Sequence, residues 1–175
     1  WDLLVESLKW DGVGKALDIG TGSGPVAILL AKKYPTSTVM GIDFWGEPWT
    51  YSKQKCEANA RIEGVSDRVS FERASAVALP YRDGEFDAVL SNFVFHAIRV
   101  KDRMTLIAEA LRVLRMGGSF AFQDLFNDDY YGVDFLDVVK GWGLNEVNFV
   151  ESSRFIDVPL ALKAKSMTGG SGILY

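Results

Sequence analysis

Short apolar runs and longer helix-patterned runs alternate along most of this chain, and this alternation limits its possible folds more than any other feature. KALDI (15–19), STVMGID (37–43), RVSFERA (68–74), the apolar part of DGEFDAVLSNFVF (83–95) and SFAFQDLF (119–126) read as strands. PVAILLAKKY (25–34), a segment from about 48 to 62 and one from 104 to 114 read as helices between them. Such alternation predicts parallel βαβ units, and strands this apolar need helices over both sheet faces. Pro25 suits a first helical turn, Gly64 suits a helix end, and Gly117-Gly118 are expected to close the 104–114 helix. A further helix should bury Phe135, Leu136, Val138, Val139 and Trp142 on one face, with strands at 146–152 and 171–175 after it. No repeat, low-complexity tract or Pro/Gly/Ser linker divides the 175 residues, so 1–175 reads as a single α/β domain around an open, doubly wound sheet. The chain opens on Trp1 rather than methionine, so an upstream segment is expected, and with it part of any acceptor pocket.

In such a sheet, ligands sit beyond the carboxyl ends of the strands, and the first strand-to-helix loop is the usual contact. That loop is LDIGTGSGP (17–25), with Gly20, Gly22 and Gly24 in five positions. Clustered glycines let a ligand approach the main chain. Asp43 ends the second strand and can accept hydrogen bonds from both hydroxyls of a ribose, which points to a nucleoside cofactor. Two candidates compete, NAD and S-adenosylmethionine. The dinucleotide fingerprint G-x-G-x-x-G/A needs a small residue and a free amide where this chain has Pro25, and proline removes that amide. A phosphate-free cofactor with an amino-acid tail suits the loop better.

Composition narrows the partners. Lys and Arg number 19 against 23 acids, for a net charge of -4 with no run of like charges, which argues against a phosphate-neutralising face and against nucleic acid. Cys56 and His96 are the only residues of their types, too few for a disulfide or for a Cys/His zinc site, and no metal is expected. No apolar run reaches the ~18 residues of a membrane span, and no signal peptide is visible. The expected location is cytoplasmic, an upstream anchor left open, and nothing in the sequence sets an oligomeric state.

LDIGTGSG, then GIDF, then ALPYRDGEFDAVLSNFVFHAI, then EALRVLRMGGSF resemble, in order and spacing, the successive motifs of class I S-adenosylmethionine-dependent methyltransferases of the type 11, small-molecule branch. The resemblance covers about 15–122. It implies a Rossmann-like, doubly wound, seven-stranded and mostly parallel sheet whose last strand is antiparallel. It also implies an enzyme whose product is S-adenosylhomocysteine. By the same resemblance Asp18 and the loop Gly20, Thr21, Gly22, Ser23 and Gly24 would cradle the methionine part. Asp43, with Phe44 beside it, would hold the ribose, Ser75 and Ala76 would read the adenine, and Ser91, Asn92 and Phe93 would line the methyl-transfer pocket. Ser75 stands where the family usually has an acid, so a neutral hydroxyl would replace a charged acceptor, and binding is expected to be weaker.

The methyl acceptor is less legible. There is no N/D-P-P-Y/F motif, since Phe93 and Val94 follow Asn92, and a small-molecule or lipid-like acceptor is expected. Transfer to an amine or thiolate needs little proton chemistry, whereas a hydroxyl or carbon acid needs a base, for which His96 and Tyr81 are the candidates. His96 could equally be a packed residue tying a strand to a helix. Trp45 and Trp49 could stack on adenine or pack, Phe93 and Phe95 are expected mainly in the core, and Cys56 is expected as a small buried residue. The segments 124–132 and 153–170 are candidate lids. The reading from another class is a silent cofactor-binding domain acting as regulator or partner subunit; an NAD oxidoreductase is a third.

Overall fold

The structure is a computed structural model that describes residues 1–46, 50–126, 131, 135–144, 146–151 and 170–174. Its elements are α1 (Asp2–Ser7), β1 (Gly14–Ile19), α2 (Pro25–Lys33), β2 (Ser37–Asp43), α3 (Lys53–Ile62), β3 (Val69–Arg73), β4 (Phe86–Asn92), a 3₁₀ turn (Phe95–Ala97), α4 (Met104–Val113), β5 (Leu114–Phe126), α5 (Phe135–Lys140), β6 (Phe149–Glu151) and β7 (Gly170–Leu174). Five strands run parallel in the order β3-β2-β1-β4-β5, so the chain winds outward in both directions from β1. Beyond β5 comes β7, antiparallel to it, and then β6, antiparallel to β7.

Side chains on the central strands alternate between two cores, as the strand period requires. Ala16, Val39, Ala88, Leu90 and Ala121 pack with Leu4 and Val5 of α1, Leu30 and Ala31 of α2, and Cys56 and Ala60 of α3. Leu17, Ile19, Ile42, Val89 and Phe122 pack with Leu106, Ile107 and Ala110 of α4 and with Phe135 and Val139 of α5. Both faces are thus covered, which is why these strands read as apolar throughout.

Two helix ends and one whole helix differ from the sequence expectation. The helix expected from about 48 begins at Lys53, because Ser52 is extended and its hydroxyl accepts the Lys55 amide at 3.2 Å as an N-cap; Pro48 and Trp49 lie outside the described residues. It ends as expected, with Gly64 at φ +70 and the Val65 amide on the Ala60 carbonyl at 3.0 Å, a Schellman arrangement. Gly117-Gly118 do not end α4. The helix stops at Val113, and both glycines sit inside β5, where its register against β4 shifts between Phe86 and Ala88. Gly117 has φ +73, and a Cβ on Gly118 would come within 2.9 Å of the Asp87 carbonyl, so both serve a bulge. The short helix α1 was not expected. It carries only six residues and no side-chain cap, so it leaves little periodic signal, yet it buries Leu4 and Val5.

Candidate active site

A cavity of about 540 Å³ opens at the carboxyl ends of β1, β2 and β4, within the size range of small-molecule sites. The glycine loop forms its floor. Gly20 and Thr21 donate their amides to the Ile42 carbonyl, both at 2.8 Å, which ties the loop to the end of β2. Gly20 has φ +75, and a Cβ there would lie 2.2 Å from Val94 Cγ2, so both backbone angle and space demand glycine.

Asp18 is buried on β1 and organises the loop. Its Oδ2 accepts from the Thr21 hydroxyl at 2.7 Å and from the Ala27 amide in the first turn of α2 at 3.2 Å. Burial pushes its carboxyl up to about 7 from an ordinary 3.8, against the two hydrogen bonds, which lower it, and with a smaller upward push from Asp43. Asp43 is half-buried at the end of β2. Its two oxygens accept from the Gly22 amide at 2.8 Å and the Trp45 amide at 2.9 Å. A carboxylate has about four acceptor sites, so two such bonds orient Asp43 and leave capacity for a ligand's hydroxyls.

Three residues from beyond β2 brace the loop from outside. The Trp45 indole N–H and the Cys56 thiol both donate to the Gly22 carbonyl, at 2.8 and 3.2 Å, and the Asn59 amide donates to the Ser23 carbonyl at 2.9 Å. Burial, together with Asp43 and Asp18, pushes the Cys56 thiol up to about 12, so it stays protonated and can donate. Cys56 is buried as expected, but it also supports the loop. Trp45 reaches its position through φ +42, an unusual backbone for a side chain of that size.

Most of the predicted site residues meet here. Asp18, Gly20, Thr21, Gly22, Ser23, Asp43, Phe44, Ser75, Ala76 and Asn92 all line the cavity. Gly24, at φ +91, instead caps α2, and Ser91 is buried with its hydroxyl on the Ile19 carbonyl at 3.0 Å, tying β4 to β1; neither is in the lining. Phe95 is core, packed 5.6 Å from Phe122, whereas Phe93 is at φ +54 and faces the cavity. Tyr81 stands outside the lining and donates to Glu72 at 3.3 Å; burial and Glu72 push its hydroxyl up, which favours its protonated form. His96 stands outside the lining too, next to Phe93. Of the candidate lids, 127–130, 132 and 153–169 lie outside the described residues.

Sequence reasoning missed Trp1, which contributes to the lining, and Asn59 as a brace. It also missed Asp124, an acid buried within β5; a lone acid inside SFAFQDLF was a signal, because ionisable groups are rarely buried without partners. Among the described residues, two buried side-chain polar atoms lack a hydrogen-bond partner, Asp18 Oδ1 and Asn92 Oδ1. Both residues line this cavity, from the ends of the adjacent strands β1 and β4. Both atoms are acceptors, which fits a ligand bringing donors such as an ammonium group.

The chain has known relatives. A family model described as a methyltransferase domain matches residues 17–122. The methyltransferase GfsG of Streptomyces halstedii is 36% identical over 122 residues, covering 70% of this chain and 41% of that protein. The ubiquinone/menaquinone biosynthesis C-methyltransferase UbiE of Geotalea daltonii is 34% identical over 115 residues, covering 65% of this chain and 46% of its own length. The chain thus spans less than half the length of these two relatives. Among solved structures, geranyl diphosphate C-methyltransferase from Streptomyces coelicolor A3(2), in complex with Mg2+, geranyl diphosphate and S-adenosyl-L-homocysteine, matches with a TM-score of 0.71 at 16% identity, over 99% of this chain and 76% of that one. The [4+2]-cyclase SpnF matches with a TM-score of 0.71 at 21% identity, over 99% and 78%. At these identities the two structures establish a shared fold.

Proposed function

The chain belongs to the family of methyltransferase domains, and from that premise we propose that it binds S-adenosylmethionine in this cavity and catalyses transfer of its methyl group to a small-molecule or lipid-like acceptor. The observation that carries the reading is the pair of orphan acceptors, Asp18 Oδ1 and Asn92 Oδ1, on two residues of the cavity lining. The cofactor's α-ammonium brings three donors, enough to satisfy both. Asp43 takes the ribose hydroxyls with its remaining lone pairs, Ser75 and Ala76 meet the adenine, and the loop Gly20–Gly24 lets the tail lie against the main chain. The names of GfsG and UbiE support methyl transfer, and UbiE's quinone chemistry supports an apolar acceptor. We read β7 as the family's reversed last strand.

When bound, the cofactor supplies a methyl carbon on a sulfonium that is already a good leaving group. The residues of this chain then need to bind, orient and exclude water. Phe44, Trp45 and Phe93 wall the cavity, and holding the acceptor in line supplies on the order of 7–11 kcal/mol of the barrier.

A calorimetric and thermal-shift titration with S-adenosylmethionine, S-adenosylhomocysteine and NAD tests the reading. At 100 times its Kd, a ligand stabilises by about 2.7 kcal/mol. Response to the two adenosyl ligands is expected; response to NAD alone, or to none, refutes it. A second reading is a domain that binds the cofactor without methyl transfer, favoured by the fold being shared with a [4+2]-cyclase. Labelled-methyl transfer to any acceptor excludes it.

A further inference from the structure

The lining of the cavity has a chemical bias beyond what ribose hydroxyls need. Among the described residues that form it stand two carboxyls, Asp18 and Asp43, and no lysine, arginine or histidine. The loops after β2 and β4 add four aromatic side chains, Phe44, Trp45, Tyr51 and Phe93. Acids and aromatic faces together, with no cationic side chain in the lining, suit a positively charged ligand, because a ring's quadrupole draws cations to its face. Three of the four rings are already committed. Arg73 lies over the Phe44 ring at 4.7 Å, and Trp45 packs into the core while its indole braces Gly22. Tyr51 lies along the glycine loop, its ring 3.6 Å from where a Cβ on Gly22 would stand.

Phe93 is the ring left open. It is 36% exposed, and its contact with the His96 ring is close to perpendicular at 6.4 Å, which occupies at most one of its faces. The backbone that presents it is strained. Phe93 has φ +54, a region that glycine or asparagine takes freely and a bulky side chain rarely does. Its surroundings enforce that angle from two directions. The Phe93 amide donates to the Gln123 carbonyl on β5 at 2.7 Å, and Val94 packs so closely over Gly20 that a Cβ there would meet its Cγ2 at 2.2 Å. Phe95, two positions on, is fully buried, so the same turn supplies a core phenylalanine without this strain. Phe93 instead turns a ring towards the cavity at a cost in backbone energy, and strain of this kind persists where function uses it.

The cofactor reading above gives the ribose to Asp43 and the ammonium to Asp18 and Asn92, which leaves one further positive charge, the sulfonium. Resting on that reading, we propose that the open face of Phe93 takes the sulfonium, so that the site tells the charged cofactor from its neutral product. Phe93 follows Asn92 in the chain, and two methylenes join the sulfur to the carbon that bears the ammonium, so one strand end serves both charges. In methyl transfer the acceptor's electron pair forms the bond to the methyl carbon. The carbon–sulfur pair stays on sulfur, which passes from sulfonium to neutral thioether. The attraction to the ring is then lost, and the product is held less tightly relative to the cofactor. Phe93 moves no proton; it sets which of the two ligands the cavity favours.

Calorimetry at pH 7 with S-adenosylmethionine, S-adenosylhomocysteine and sinefungin, which carries an ammonium in place of the sulfonium, separates charge from shape and needs no acceptor. Phe93→Leu keeps an apolar side chain and removes the ring, whereas Phe93→Tyr keeps the ring. In Phe93→Leu, affinity for both cationic ligands should fall about fivefold while that for S-adenosylhomocysteine stays within about twofold of wild type. Phe93→Tyr should keep the wild-type ratios. Phe93→Asn, which takes φ +54 with little strain, should repeat the change in ratio and serves where Phe93→Leu does not fold. An equal loss for all three ligands would make Phe93 a packing residue, and unchanged ratios in Phe93→Leu would take the sulfonium from it. Either result overturns the proposal, as does Phe93→Tyr behaving like Phe93→Leu, and each leaves the cofactor reading standing. Wild type binding none of the three would strike that reading, and the proposal with it.

Discussion

Replacing Asp18 with Asn should change how stability depends on pH, and the buried carboxyl sets both sign and size. Burial raises Asp18 from 3.8 to about 7 in the folded chain. A raised folded-state value means that the protonated form is favoured by folding, so this stability is fully present below pH 3.8 and is lost as pH rises through about 7. At 1.36 kcal/mol per unit, the whole shift corresponds to a loss on the order of 4 kcal/mol, at about 1.4 kcal/mol per pH unit within the window. Asn keeps an oxygen for Thr21 and Ala27 but cannot ionise. Urea unfolding of both proteins between pH 5 and 8.5 isolates the effect, because other titrating groups cancel in the difference. Wild type should lose stability relative to Asp18→Asn up to about pH 7 and run parallel above it. Cofactor affinity should move the opposite way: the ammonium favours the ionised carboxylate, so wild-type affinity should rise nearly tenfold per unit towards pH 7 and that of the variant should stay flat. A flat difference curve, or wild type gaining on the variant with rising pH, refutes the reasoning.

Gly20→Ala should lower the Tm and cost more than about 1 kcal/mol, since φ +75 and the 2.2 Å approach to Val94 act together; a Tm equal to wild type would remove the strain argument. Trp45→Phe keeps the ring and deletes the 2.8 Å bond to the Gly22 carbonyl, so cofactor affinity should fall about fivefold, as for one hydrogen bond of about 1 kcal/mol; calorimetry showing no change would make the brace irrelevant to the loop. Ser75→Asp should tighten cofactor binding, because a charged acceptor bonds roughly twice as strongly as a neutral one; unchanged or weaker binding would refute the adenine assignment.

How much was legible in the sequence follows from how local each signal is. The strands and the glycine loop announce themselves through apolar runs and through Gly20, Gly22 and Gly24, whose positive φ values are a local demand. The place of Asp43 at the cavity was readable because it ends a strand at the carboxyl edge of such a sheet. The start of α3 was not, since a cap bond from the Lys55 amide to Ser52 outweighs a general helical pattern. Nor was the β5 bulge, because a Gly-Gly pair that ends a helix looks identical to one that lets a strand step over Asp87. The support around the site was the least visible part. Trp45, Cys56 and Asn59 reach the loop across 23 to 36 positions of chain, and His96 meets Asp124 across 28. Each is an ordinary residue until the sheet order brings the partners together.

The choice between a phosphate cofactor and a cationic one shows local and long-range signals acting together. Pro25 removes one amide from the start of α2, and on sequence grounds that argued against a pyrophosphate. The Ala27 amide, two positions later, is already bonded to Asp18 Oδ2 at 3.2 Å. A helix N-terminus favours an anion, and in this chain Asp18 fills that role itself. An incoming phosphate would therefore meet a missing amide, an occupied one and a carboxyl that charges near neutral pH. An ammonium would meet the opposite, an acceptor oxygen with no partner whose ionisation it favours. On the proposed cofactor reading, Asp18 joins Pro25 in disfavouring a dinucleotide and also meets the amino-acid tail, and the pH dependence of binding follows from that dual role.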